Sequence, residues 1–116
     1  MGTAFLPRET DDFLSVNWLE ITGEADRQGQ LEKVRAHLAA NGLTLRASGR
    51  FAILHLGSAF AHVRTTAEDA RQLAAHYEPD LPNDPSHSGI YGYDHSDQLI
   101  ADLLAECVIE CHPARR

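Results

Sequence analysis

Glu78-Pro79-Asp80-Leu81-Pro82-Asn83-Asp84-Pro85-Ser86-His87-Ser88-Gly89-Ile90-Tyr91-Gly92-Tyr93-Asp94-His95 is the stretch on which the reading of the fold turns. Three prolines, two glycines, two histidines and four carboxylates stand between two segments of ordinary helical periodicity. Each proline removes a backbone donor and pushes its predecessor toward extended geometry, so residues 78–88 read as a loop held on a specific path. Loops of that kind concentrate function.

Downstream, Ile90 to Tyr93 reads as a short strand. Asp94 or Ser96 then caps a helix whose buried stripe is Leu99, Ile100, Leu103, Leu104, Cys107 and Val108. Near Cys107 that helix is expected to give way to an extended Val108 to His112, stopped by Pro113. Upstream, Phe60, Val63, Ala67, Ala70, Ala74 and Tyr77 are spaced by three and four residues. Thr65 and Thr66 interrupt that run, so the spacing predicts a helix over 66–77 capped by Thr66, with 58–64 compatible with a helical turn or an edge strand.

Nearer the N-terminus, Leu14, Val16 and Trp18 alternate with Ser15 and Asn17, predicting a strand over 13–20 with Trp18 in the core. Leu31, Val34 and Leu38 predict an amphipathic helix over 24–41, ended by Asn41-Gly42, with Gly29 weakening the first turn so that a start only at about Gln30 is also compatible. Glu32, Lys33, Arg35 and His37 read as its solvated face. Residues 43–47 and 51–56 read as a β-hairpin around Ala47-Ser48-Gly49-Arg50, its second strand central and His55 a core residue. The expected fold is a single α+β domain over 1–116, with a small mixed or antiparallel sheet of three to four strands packed against two to three helices in one pair of layers.

The 116 residues are 43% hydrophobic and 23% charged, the balance of a globular chain. No apolar run approaches the length of a membrane span, and Met1 to Arg8 lacks the pattern of a secretory signal, so a cytoplasmic address is expected. A net charge of −7 with no basic block opposes binding to a phosphate backbone. Cys107 and Cys111 are too few and too close for a disulfide scaffold and read as reduced thiols, with Cys107 a packing residue.

Two kinds of chemistry are conceivable. His62, His76, His87, His95, Cys107, Cys111 and His112, assisted by Asp80, Asp84 and Asp94, are ligand types suited to zinc, but no CxxC, HExxH or HxH spacing organises them. Alternatively His87, flanked by serines and followed by Gly89, is a candidate acid-base group with Asp84 and Asp94 near enough in sequence to orient it. Gly89-Ile90-Tyr91-Gly92 lacks the further residues of a phosphate or dinucleotide loop. Tyr91 and Tyr93 share one side if that piece is extended, forming an aromatic contact surface.

Ala4-Phe5-Leu6-Pro7-Arg8 with Leu14-Ser15-Val16, and Pro85-Ser86-His87 with Ile90 and Gly92, resemble small uncharacterised bacterial proteins that open with FxP and LSV patterns and carry a late PSHxxIxG. The resemblance implies an intracellular bacterial setting and transfers no catalytic residue. The expected role is a binding or accessory module that needs no cofactor and acts through a partner protein, with a homo-oligomer conceivable. Its contact surface is the 78–95 loop, with His87, Gly89, Tyr91, Tyr93, Asp84 and Asp94 as binding residues. The alternative is a zinc-dependent or similar hydrolase or nuclease built on His62, His87 and His95.

Overall fold

Ile90, 1% exposed, lies in the strand about which the protein is assembled. The computed structural model describes residues 2–45 and 49–115. In chain order the elements are β1 (Phe13–Asn17), α1 (Arg27–Ala40), β2 (Arg50–Leu54), α2 (Leu56–Thr66), β3 (Ala74–Tyr77), β4 (His87–Tyr91), α3 (Gln98–Ala105) and β5 (Val108–Pro113), with short 3-10 turns at Thr3–Phe5 and Leu19–Thr22. The fold is α+β, and its strands form two antiparallel sheets, β1-β4-β3 and the two-stranded ribbon β2-β5. The expected sheet is present with three strands, and the ribbon stands in addition to it.

The alternation within β1 and β4 sorts their side chains. Leu14, Val16 and Ile90 meet a core supplied by Ala59 and Val63 of α2 and by Ile100, Ala101, Leu103 and Leu104 of α3. The predicted 3,4 spacing of α3 is realised, except that Leu99 lies 60% exposed while Ala101 is fully buried. Ala59 and Ala101, both fully buried, belong to the core cluster in which α2 and α3 pack on each other. Cys107 packs half-buried against this cluster, and burial pushes its thiol pKa up.

Several expectations are overturned. The helix expected over 66–77 is instead α2, begun ten residues earlier because His55 Nδ1 accepts the Ser58 N–H at 3.2 Å as an N-cap. His55 is therefore an exposed cap and not a core residue. Thr66 closes α2, Ala67 turns extended, and Ala74 and Tyr77 leave the supposed helical stripe to form β3. Periodicity over 60–77 cannot separate one long helix from a helix and a strand; the unpaired edge of β4 decides the matter. The first arm of the expected hairpin is absent from 43–45, and its turn residues Ala47 and Ser48 lie outside the described residues. β2 pairs with β5 instead, with a register shift at Ile53/Leu54, so it is not a strand covered on both faces. Trp18 is 46% exposed, past the end of β1, where its ring meets Tyr77 edge-on at 6.0 Å.

In α1 the cap Asp26 accepts the Gly29 N–H at 2.8 Å, so the helix starts at Arg27 despite the glycine. Nor is its expected outer face wholly solvated. Arg35, 15% exposed in its side chain, donates to the Ala114 and Pro113 carbonyls and lies 5.7 Å from the Phe51 ring centroid. His37 is 16% exposed. Arg27 reaches Glu110 at 3.1 Å, so α1 is tied to β5 at its first residue and again at Arg35.

Two outcomes follow from this packing. A Cβ on Gly89 would come within 2.7 Å of Glu78 Oε1, 2.9 Å of the Phe13 ring and 3.0 Å of the Tyr91 ring. Gly89→Ala is expected to lower stability by about 2 kcal/mol in urea unfolding, as overpacking does. The Glu110 carboxyl is held below its ordinary value of 4.5 by hydrogen bonds from His112 and Arg27. Because the folded value is the lower one, its contribution is complete above 4.5 and is lost as pH falls. Glu110→Gln should therefore flatten the acid side of a plot of melting temperature against pH.

Candidate binding cleft

β3 and β4 form a hairpin, and most of the predicted loop is its closed end. Asp80 and Asp84 bridge across it through paired backbone hydrogen bonds of 3.0 and 2.6 Å, leaving Leu81-Pro82-Asn83 as the tip, with the Leu81–Pro82 peptide cis. The tip meets the end of α1: Asn83 donates to the Ala40 carbonyl at 3.3 Å and Asn41 to Asp80 at 3.4 Å.

Beneath that junction Asp84 is 2% exposed and Ser86 fully buried. The Asn17 side-chain amide donates to Asp84 Oδ1 and Oδ2 at 2.9 and 3.1 Å and approaches Ser86 Oγ at 3.0 Å. Ser86 Oγ donates to Asp84 Oδ1 at 3.2 Å. His37 Nδ1 stands 3.5 Å from the same oxygen, within ion-pair range but without hydrogen-bond geometry. A buried carboxylate is tolerated only when such donors replace its water. These contacts lock the end of β1, the hairpin and α1 to one another.

Above the cluster opens a cleft of about 510 Å³, within the range of sites that bind small molecules or short peptide segments. Leu6, Pro7, Arg8 and Asp11 of the N-terminal arm form one wall, and Leu38, Asn41 and Leu43 at the end of α1 another. Phe13, Leu14, Ser15 and Asn17 of β1 run along it, and Asp80, Asp84 and His87 close it from the hairpin. Arg8 pairs with Asp11 at 3.0 Å.

The candidate residues named from sequence are dispersed. Asp84 and His87 reach the cleft, but Asp84 does not orient the His87 ring, whose Nδ1 is paired with the Glu78 carbonyl at 2.9 Å. Gly89 and Tyr91 lie on the sheet face away from the core, where Tyr91 stacks on Phe13 at 5.2 Å and meets His76 edge-on at 4.9 Å. Tyr93 does not share that side: Gly92, at φ 115°, turns the backbone, and Tyr93 enters the core with its hydroxyl donating to the Phe5 carbonyl. Asp94 forms the turn before α3, its carboxylate accepting from the Ser96 hydroxyl and N–H, which lowers its pKa. His62 on α2 pairs with Glu106 at 2.8 Å, far along the chain from exposed His95 in the turn before α3. Among the described residues no group of three His, Cys, Asp or Glu side chains is placed to hold a metal ion.

Asn17 and His37 escaped the sequence reading. Asn17 is indistinguishable from any polar residue on the open side of a strand. His37 follows Val34 by one helical turn and so flanks the buried stripe, a signal that was available in the spacing.

Asn17→Ala removes the donors of a buried carboxylate, and a loss of about 1–3 kcal/mol is expected in urea unfolding. On the outer sheet face, the hydrogen bond from Tyr91 to Glu78 at 2.6 Å pushes the phenol pKa up to about 12. Absorbance titration should show one tyrosine ionising near 12, and Glu78→Gln should bring it back toward 10. Because the folded value is the raised one, this pair stabilises fully below pH 10, and its contribution declines as pH rises toward 12.

Comparison with family models, with curated proteins and with solved structures found no match to this chain, so the cleft is interpreted from its own chemistry.

Proposed function

We propose that the protein is a binding or accessory module that engages a partner protein through this cleft, with the Asp80 to His87 part of the 78–95 loop as one wall. The observation that carries the reading is convergence. The segments 6–17, 38–43 and 80–87 are far apart in sequence, yet Leu6, Asn17, Leu38, Leu43, Asp80 and His87 line one cavity. The cavity is rigidly founded, since Asp84 is bonded to β1 and stands against α1. Preorganisation of this kind lowers the entropic cost of binding. Apolar walls supply contact area, and the Asn and Asp groups supply orientation.

Ser15 is exposed and lines the cleft, so Ser15→Trp fills the cavity from a position that the core does not use. Tagged wild-type protein purified from its native cells should retain one defined partner in fixed stoichiometry. The Ser15→Trp variant should lose that partner with its melting temperature unchanged. Equal retention by both chains, or purification of the wild type alone, overturns the proposal.

A further inference from the structure

The cleft runs along an open strand edge. β1 ends the order β1-β4-β3 and is paired on one side only. The Trp18 N–H donates to the Ser86 carbonyl at 2.8 Å, and the register pairs Val16 with Ser88 and Leu14 with Ile90. Hydrogen-bonded pairs alternate in an antiparallel ladder, so the even-numbered residues of β1 bond to β4. Phe13, Ser15 and Asn17 consequently direct their N–H and C=O groups outward, and among the described residues these groups have no hydrogen-bond partner. All three residues line the cleft.

Resting on the reading of the cleft as a partner site, we infer that its occupant is an extended peptide segment of the partner, added as a further strand on β1, with a lysine or arginine directed toward the exposed Asp80. Strand addition satisfies the free backbone groups, and the cavity beside the edge receives alternate side chains of the incoming strand. At about 3.3 Å per residue, four or five residues span β1. The charge follows from the lining. Arg8, the only lysine or arginine of the lining, is paired with Asp11 at 3.0 Å, which leaves the exposed Asp80 carboxylate without a cationic side chain of the wall beside it. The same balance disfavours a second copy, because pairing β1 with β1 of another chain joins two acidic clefts on chains of net charge −7. β3 also has an open edge, but its four residues are all exposed and line neither this cleft nor the cavity around Ala67, Arg71 and Ile100, so the edge of β1 is the one with a cavity seen beside it.

The test is titration of the isotope-labelled full chain with pooled capped pentapeptides of alternating apolar and threonine residues carrying a central arginine, followed by amide NMR. The Phe13, Ser15 and Asn17 amides are expected to shift and to exchange with solvent more slowly. A central glutamate should weaken binding about tenfold. N-methylation at residues of one parity should abolish binding, and at the other parity leave it intact, because only alternate N–H groups face β1. Absence of any shift at these amides with every pool overturns the inference, as does equal binding of arginine and glutamate peptides. Binding in the cleft that is indifferent to N-methylation overturns strand addition while leaving the cleft as a contact surface. Shifts at β1 that depend on protein concentration and accompany a dimer in sedimentation assign the edge to a second copy and also overturn it. Partner loss in Ser15→Trp judges the parent reading separately.

Discussion

The buried Asp84 carboxylate is the constraint from which the positions of β1, the β3-β4 hairpin and α1 follow. Removing a carboxylate from water costs several kcal/mol unless fixed donors replace the solvent. Here the Asn17 amide comes from β1, far away in the chain, the Ser86 hydroxyl is local, and His37 of α1 stands alongside. The interaction is satisfied only when those elements have met. It therefore selects the register of β1 on β4, since a one-residue slip would turn Asn17 to the opposite face.

The division of the strands into two sheets follows from how helices cover them. α2 and α3 occupy the face of β1-β4-β3 that carries Leu14, Val16 and Ile90. α1 is held to the β2-β5 ribbon by the Arg27–Glu110 pair and by Arg35 on the last carbonyls of β5. The opposite face of the larger sheet is closed by Phe13, Tyr91 and Glu78 around the bare backbone of Gly89. That face is an aromatic and polar cover whose groups are largely paired with each other, which leaves the edge of β1 as the more open feature.

A strand edge in a cleft differs from an edge exposed on a convex surface. Unpaired edges invite association, and proteins commonly blunt them with charge, bulges or covering loops. The N-terminal arm and the end of α1 line the cavity beside β1 without pairing to it, so they limit what can approach and leave the backbone groups free. Access of that restricted kind favours one slender extended partner over broad sheet-to-sheet aggregation.

Elements whose own chemistry is decisive were legible in the sequence. The apolar stripe of α3 and the helix around Leu31 and Val34 bury side-chain sets that only helical periodicity presents to a core, while the strand at Leu14 to Val16 and the extended segment after Cys107 have the alternation of half-buried strands. Position 89 needs glycine for contacts with Phe13, Glu78 and Tyr91 that no local pattern announces. Residues 56–77 remained ambiguous because spacing by three and four suits one helix as well as a helix followed by a strand, and the vacant edge of β4 settled it. The cleft belongs to the same class. Asp84 and His87 stood out as loop residues, but Asn17 and His37 acquired meaning only when β1 paired with β4 and α1 folded onto the hairpin. Sequence determined which segments could be helix, strand or turn, because those preferences are local; tertiary structure decided which strands paired and which polar groups met, because a buried charge is satisfied by groups the chain brings from afar.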